Sequence, residues 1–191
     1  MAVSVGLIVG IILLVLILIW YVMTYNRLVR LRNECDRAWS NIEVLLQQRY
    51  DMLPNLQEIV KGYAKHEKDI FMEFAEIRRI SASVGSGDVA GYGQAEGMLA
   101  TMMPKIQAIA EAYPELKADS SFVNLQKELV AIENQVSDRR EFYNSAVTNW
   151  NIAIEQMPAN FVAMTMGARR KDQFVVQTEM ARQAVTLDFT S

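Results

Sequence analysis

Few residues in this chain have the types and spacing that catalysis needs. His66-Glu67 opens an H-E-x-x-H zinc motif, but the second histidine would have to stand where the sequence has Ile70. That motif needs both histidines to hold zinc, so the pair predicts no metal site. His66 is the single histidine and Cys35 the single cysteine, whereas structural zinc takes four such ligands. We expect His66 to be a structural or surface residue.

Two other reactive patterns are also incomplete. A cysteine nucleophile needs a base within reach, and Cys35 falls on the apolar stripe of a predicted helix, where a buried small hydrophobic residue is expected. The stretch GSGDVAGYG lacks the Lys-Ser/Thr ending of a phosphate-binding loop and follows no strand. Carboxylates such as Glu67, Asp69 and Glu73 stay a formal possibility, but no spacing singles them out. The sequence predicts a protein that is not an enzyme and uses no cofactor.

The densest polar cluster on an otherwise apolar path contains Arg49, Asp51, Asn55 and Lys61. One hypothesis is a buried polar network that fixes a kink at Pro54, and the other is a recognition site for a ligand or partner. We favour the structural hypothesis. The formal net charge of −3, without a basic stripe interleaved with aromatic residues, argues against nucleic-acid binding.

The elements that position these residues begin with an unbroken apolar run over residues 5–23. At 1.5 Å per residue, about nineteen helical residues span roughly 30 Å, the thickness of a bilayer's hydrocarbon core. A cleaved signal peptide is the competing interpretation, but it needs a positive N-terminal region and a small-x-small cleavage site. Here Trp20, Tyr21 and Tyr25 stand at the end of the run. We predict a transmembrane anchor over residues 1–25.

The charges after the anchor predict its orientation. The basic residues next to it are Arg27, Arg30, Arg32 and Arg37. The positive-inside rule counts such residues near the helix end and gives little weight to acids. We therefore predict an N-terminus outside and residues 26–158 as a cytoplasmic domain. A single cysteine allows no internal disulfide, which suits that compartment.

Small residues recur at every fourth position of the anchor, at Ala2, Gly6 and Gly10. Such a face lets two membrane helices approach closely. It therefore favours a homo-oligomer, although glycine is also common in membrane helices for other reasons.

Helical periodicity covers almost all of the remaining chain. From Phe122 to Met157 the apolar spacing alternates three and four without a slip, which is typical of a helix that packs along its full length. Arg139 is the one charged interruption, Ser120 or Ser121 offers an N-cap, and Pro158 closes the helix. The residues expected to form a bundle or subunit seam are Trp39, Leu125, Leu129, Ile132, Val136, Arg139, Tyr143 and Trp150.

The first cytoplasmic helix continues the spacing of the anchor, so the two are predicted to form one rod. Pro54 predicts a kink, or a break and restart, near residues 51–54. Residues 84–97 hold five glycines and are predicted to be a linker, followed by a shorter helix over about 95–112. The predicted fold class is all-α: an N-terminal transmembrane helix that continues into an antiparallel bundle of three or four long helices.

Residues 159–191 are predicted to be a short amphipathic segment and a poorly ordered tail. The segment places Phe161 and Met164 ahead of the basic residues Arg169, Arg170 and Lys171. It could lie on the inner leaflet, where a basic residue near anionic lipid contributes about 1 kcal/mol. Alternatively, its apolar residues cap the bundle.

The chain resembles the LemA family of bacterial membrane proteins. The matching segments include Tyr25-Asn26, Trp39, Arg49-Tyr50-Asp51, Pro54-Asn55-Leu56, Val60-Lys61-Gly62-Tyr63, Glu133-Asn134, Tyr143-Asn144 and Asn151. The resemblance implies one membrane helix with its N-terminus outside, in a bacterial plasma (inner) membrane, and a cytoplasmic helical bundle. It implies little about biochemistry, because the family has no established enzymatic activity.

Two functional hypotheses follow. The first is a non-enzymatic scaffold that self-assembles on the cytoplasmic face, with apolar seams left unfilled in one chain filled by a neighbour, and that organises or shapes membrane lipid. The second is an adaptor or sensor that holds a partner membrane protein or peptide at the bilayer.

Overall fold

The computed structural model describes residues 5–176. Every regular element in this range is a helix, which confirms the all-α prediction. The helices are α1 (Val5–Tyr63), α2 (Lys68–Ser83), α3 (Val89–Ala112), α4 (Pro114–Ala118), α5 (Ser120–Glu155) and α6 (Ala159–Thr165).

Helix α1 joins the apolar run to the bundle as one rod, as predicted. Its 59 residues extend over about 88 Å at 1.5 Å per residue. The first turns, residues 5–20, are exposed, and this is the one helix in the described range that is long and apolar enough to cross a membrane. From Leu28 onward, α1 buries a stripe of side chains three or four residues apart, including Cys35. The expectation that Cys35 is a buried apolar residue is confirmed.

Of the two alternatives predicted at Pro54, the break and restart is wrong, because α1 continues through Pro54 to Tyr63. The proline itself is exposed, so its ring is not packed in the core. Leu53 and Leu56 beside it are 2% and 1% exposed. Their burial holds this part of the chain in the helix despite the missing backbone donor, since most helix stability in proteins comes from tertiary packing.

Four helices form the antiparallel bundle. The Tyr63 hydroxyl at the end of α1 donates to Asp119 at the start of α5 over 2.8 Å. Helix α5 therefore runs back along α1 towards the apolar run, and we call this end of the bundle the membrane end. The α2–α3 turn returns to the middle of α1, where the Ser86 hydroxyl donates to Glu43 over 3.1 Å. An ion pair between Lys105 of α3 and Glu73 of α2 joins the second pair of helices.

The predicted glycine linker is largely helical. The turn ends at Asp88, whose side chain caps α3 by accepting from the Gly91 amide over 3.0 Å. Gly87 in that turn has φ +83°, a conformation that favours glycine. Further along, Gly93 and Gly97 are buried inside α3. At Gly93 the missing side chain serves close packing, since an added Cβ would lie 2.5 Å from the Val175 carbonyl oxygen. Composition alone does not distinguish such a glycine from one in a flexible linker.

Asp119 is the residue that caps α5, and the prediction of Ser120 or Ser121 is wrong by one or two positions. The Asp119 carboxylate accepts from the amides of Ser121 and Phe122 over 2.7 and 3.2 Å. The same carboxylate accepts the Tyr63 hydroxyl, and these hydrogen bonds, with Tyr63 first, lower the pKa of Asp119. A charged cap that also contacts α1 fixes where α5 begins.

The α5 seam is filled within the chain. Its buried members are Phe122, Leu129, Ile132, Val136, Tyr143, Trp150 and Ala153, with Leu125 partly buried. Arg139 departs from the pattern because it is exposed, and within the described residues it forms no ion pair. The hypothesis that neighbouring chains fill this seam loses its basis.

We predict that Pro54→Ala raises the free energy of unfolding by about 1–3 kcal/mol, because alanine restores a backbone donor inside α1. Chemical denaturation of the full-length protein in mild detergent, followed by circular dichroism, measures the change. The matched control is Pro114→Ala, since Pro114 occupies the first turn of α4, where proline is tolerated. A destabilised Pro54→Ala variant would contradict the prediction.

Candidate functional site

A buried ion pair lies at the centre of the bundle. The Arg49 side chain of α1 is 4% exposed and pairs with Glu96 of α3, whose side chain is also 4% exposed. The second guanidinium nitrogen donates to Glu133 of α5 over 3.2 Å, and the Glu133 side chain is 59% exposed. One arginine therefore bridges three helices, with one carboxylate fully inside and the other at the surface.

The burial of this group affects its neighbours. Burial raises the pKa of Glu96, and the nearby Arg49 charge opposes that shift. Burial, followed by the Glu96 charge, raises the pKa of Tyr50 well above its ordinary value. The Tyr50 hydroxyl and one Glu96 oxygen have no hydrogen-bond partner among the described residues. A buried pair of this kind costs desolvation energy, and removal of one partner would leave an uncompensated charge inside the bundle.

The predicted polar cluster is only partly assembled. Arg49 points into the core, whereas Asp51, Asn55 and Lys61 are exposed, and Asp51 accepts a hydrogen bond from the nearby Gln47 over 3.0 Å. The four residues do not form one network. The structural hypothesis applies to Arg49 alone, with partners that the sequence did not suggest.

Sequence reasoning missed both of those partners. Glu96 lies in the segment interpreted as a linker, and a lone carboxylate between the small residues Ala95 and Gly97 was the available signal. Glu133 was noted as part of a family-like segment, without a role. Glu96 and Glu133 lie 47 and 84 positions after Arg49 in the sequence. No periodicity indicates that residues so far apart come into contact.

An aromatic cluster lies between the ion pair and the membrane end. The Trp39 ring on α1 contacts the rings of Tyr92, Tyr143 and Phe174 with centroid distances of 5.6, 5.2 and 5.5 Å. Tyr92 also stacks on Tyr50 at 6.3 Å. Tilted and edge-on aromatic pairs contribute about 0.5–1.5 kcal/mol each beyond their buried area. The cluster joins α1, α3, α5 and the chain that follows α6.

That last segment, residues 168–176, is an extended strap along α5. Asn151 donates to the Lys171 carbonyl over 3.0 Å and accepts from the Lys171 amide over 2.9 Å. Asn144 forms the same pair of bonds with Phe174, over 3.2 and 2.8 Å. Two asparagine side chains thus satisfy the strap backbone as a neighbouring strand would.

Further hydrogen bonds hold the strap at Arg169 and at Asp172. The Trp150 indole donates to the Arg169 carbonyl over 2.8 Å, and the Tyr143 hydroxyl donates to the Asp172 carbonyl over 2.9 Å. Burial is the main cause that raises the pKa of Tyr143 to about 12. On α3, a Cβ at Gly93 would lie 2.5 Å from the Val175 carbonyl oxygen. The strap therefore needs glycine at that position.

Helix α6 returns the chain to the membrane end. The Tyr21 hydroxyl, near the end of the apolar run, lies 2.8 Å from the Thr165 hydroxyl oxygen. Val162 and Ala163 are buried, whereas Phe161 and Met164 are 58% and 76% exposed. One face of this segment caps the bundle, as one sequence-based alternative had it, and the other face is uncovered. The basic residues Arg169, Arg170 and Lys171 belong to the strap.

In the anchor, an added Cβ at Gly6 or Gly10 would meet no atom within 4 Å, so both positions are free for another helix. Ala2 and residues 177–191, which include the predicted poorly ordered tail, lie outside the described residues. Within the described range, no group of three or more His, Cys, Asp or Glu residues could hold a metal ion.

The fold and these sites define a helical-bundle protein carried on a single helix that is long and apolar enough to cross a membrane. The family model of the LemA family matches residues 38–189, and the chain belongs to that family. The resemblance seen in the sequence is thereby confirmed.

Several curated relatives are similar over most of the chain. Magnetosome protein MamQ of Magnetospirillum gryphiswaldense is 25% identical over 176 residues, covering 80% of this chain and 65% of that protein. Magnetosome protein MamQ 2 of Paramagnetospirillum magneticum is 26% identical with the same coverage. Protein LemA of Metamycoplasma hominis is 23% identical over 146 residues, 76% of this chain and 66% of that protein. The match thus spans just under two thirds of the length of the MamQ proteins.

We predict that Arg49→Met lowers the free energy of unfolding by about 3–5 kcal/mol, because it leaves Glu96 buried without its partner. The loss should grow as pH rises above about 4.5, the ordinary pKa of glutamate. There the unfolded variant ionises this carboxyl, whereas the folded variant, which lacks the Arg49 charge that opposes the effect of burial, keeps it protonated. Denaturation of the full-length protein at several pH values measures both effects.

The double variant Arg49→Met/Glu96→Met should recover most of that loss, since an apolar pair replaces the ion pair. The control is Lys105→Met, which breaks the more exposed pair with Glu73 and should cost less than about 1 kcal/mol. An Arg49→Met variant no less stable than Lys105→Met would contradict the assignment.

We predict that Asn151→Ala or Asn144→Ala frees the strap, because each removes two hydrogen bonds to its backbone. Trypsin should then cleave after Arg169, Arg170 or Lys171 at least several-fold faster in the full-length protein. Asn149→Ala is the control, since Asn149 is exposed on the same helix and forms no hydrogen bond with the strap in the described structure. Equal cleavage rates in all three variants would refute the role of the asparagines.

Proposed function

We propose that this protein is a non-enzymatic scaffold that is anchored in the bacterial inner membrane and self-assembles on its cytoplasmic face to organise the bilayer. The observation that carries the proposal is the continuity of α1 from Val5 to Tyr63. A domain joined to its membrane span by an unbroken helix has a fixed position and tilt. Geometry of that kind suits a scaffold better than a tethered enzyme.

The junction between the span and the bundle is also braced from the side. The strap contacts α1 through the Lys171–Asp36 ion pair, 2.8 Å long, and through Phe174 on Trp39. Helix α6 contacts α1 at Tyr21. These contacts brace α1 at Tyr21, Asp36 and Trp39, from the end of the apolar run into the bundle. Forces between neighbouring bundles would therefore reach the membrane.

The proposed orientation rests on charge. Arg27, Arg30, Arg32 and Arg37 are exposed directly after the apolar run, and the positive-inside rule assigns such a flank to the cytoplasm. Membership of the LemA family and similarity to proteins named for the magnetosome support a membrane-associated role. The polar group at Arg49 is enclosed by the bundle, which supports a structural role and not a catalytic one.

Self-association is assigned to the membrane span and not to the α5 seam. The seam is buried within the chain, whereas Gly6 and Gly10 leave an open, side-chain-free strip on α1. Close helix approach at small residues stabilises association in lipid through van der Waals packing.

We predict that the full-length protein, extracted in native lipid, forms a uniform assembly larger than a dimer, as measured by mass photometry and imaging. Gly6→Ile/Gly10→Ile should reduce its size, because the added side chains separate the helices. The control is Ile8→Ala/Ile12→Ala, which changes the opposite face of the same helix and should leave the assembly intact.

A monomeric wild-type protein would overturn the scaffold. In that case, crosslinking in cells distinguishes the alternative. A dominant heterologous membrane protein would support the adaptor hypothesis, and self-crosslinks alone would count against it.

A further inference from the structure

Helix α6 lies level with the last turn of the apolar run of α1. The contact between the Tyr21 and Thr165 hydroxyls, 2.8 Å apart, sets this height, and the run ends two residues later at Met23. A span that crosses the hydrocarbon core therefore brings α6 to the boundary between acyl chains and headgroups.

The uncovered face of this segment is apolar. Phe161 and Met164 are 58% and 76% exposed, and their spacing of three residues within α6 places them on one helical side. Met157, in the turn before α6, is also exposed. In water this exposure is unfavourable, whereas at the acyl–headgroup boundary it stabilises binding in proportion to the apolar area buried. Val162 and Ala163 on the other side fix the segment to the bundle.

A basic cavity of about 280 Å³ adjoins α6, where Gly167, with φ +61°, turns the chain into the strap. Two of its cations are already paired: Arg170 with Glu155, and Lys171 with Asp36. The other two, Arg32 and Arg169, are exposed and form no ion pair with any described residue.

The position of Arg32 suits a lipid phosphate. It lies nine residues beyond Met23, about 14 Å along α1, whereas the headgroup layer extends about 5–8 Å beyond the hydrocarbon core. Helical side chains tilt towards the N-terminus, which here is the membrane side. The long arginine side chain can therefore reach back to the headgroups while its stem follows the protein surface.

From these positions we infer that α6 and the start of the strap form a second membrane contact that binds an anionic phospholipid. Phe161 and Met164 contact the acyl chains, and Arg32 and Arg169 bind the phosphate. The inference rests on the proposed membrane span of α1 and adds a lipid preference to it. Continuity with that span selects lipid, and not a soluble partner, as the occupant.

Photocrosslinking tests the depth of α6. A benzophenone amino acid is placed in the full-length protein at Phe161 or Met164, and the protein is reconstituted in vesicles of phosphatidylcholine and phosphatidylglycerol. Both positions should form lipid adducts. Met72, which is 63% exposed on α2, is the matched control and should form none, and Leu16 in the apolar run is the positive control.

The controls distinguish the membrane contact of α6 from the membrane span of α1. Lipid adducts at Leu16 but not at Phe161 and Met164 would overturn the second contact and leave the anchor intact. An absence of adducts at Leu16 as well would overturn the membrane span itself.

The lipid preference is tested by the ratio of phosphatidylglycerol to phosphatidylcholine that copurifies with the protein from mixed vesicles. Arg32→Gln/Arg169→Gln should lower the phosphatidylglycerol enrichment, by about fivefold per lost cation. Arg78→Gln/Arg139→Gln, which removes two exposed arginines of the bundle body, should leave it unchanged. Equal enrichment in both variants, or its loss on adding inorganic phosphate alone, would overturn the lipid site.

Discussion

The buried Arg49 side chain is the constraint on which the register of the bundle depends. Because this charge is buried away from water, it needs a partner within the protein, and Glu96 and Glu133 pair with it from two other helices. A shift of α3 or α5 along α1 would separate these groups and leave a buried charge without its partner, which is costly. The ion pair therefore disfavours other alignments of these three helices, and the leucine and isoleucine layers supply the stabilising burial.

The two ends of the bundle are built on different principles. Away from the membrane, four helices surround an apolar core, capped where Asp119 meets Tyr63. Towards the membrane, α2 and α3 have ended, and the strap takes their place beside α1 and α5. An extended chain is thinner than a helix, so large rings fill the space around it: Trp39, Tyr143 and Phe174.

The parts predictable from sequence were those that repeat. The 3.6-residue period predicted α1 and α5, and the apolar length predicted the anchor, because burial imposes those patterns locally. The glycines of α3 led to the wrong prediction of a linker, because glycine occurs both in flexible loops and at close helix contacts. At Gly93 only the nearby Val175 carbonyl shows that the second case applies. The ion pair and the strap could not be predicted, because both depend on contacts between distant segments.

The strap also relates two lengths in the chain. Asn144 and Asn151 are seven residues apart on α5, about 10.5 Å of helix, and they hold Phe174 and Lys171, three extended residues or about 10 Å apart. Seven residues of helix and three residues of strap thus have nearly the same length. An insertion of one residue between the two asparagines, or between Lys171 and Phe174, would move the asparagines away from the backbone groups they bind. If this part of the bundle were longer, seven residues added to α5 would need to be accompanied by three residues added to the strap.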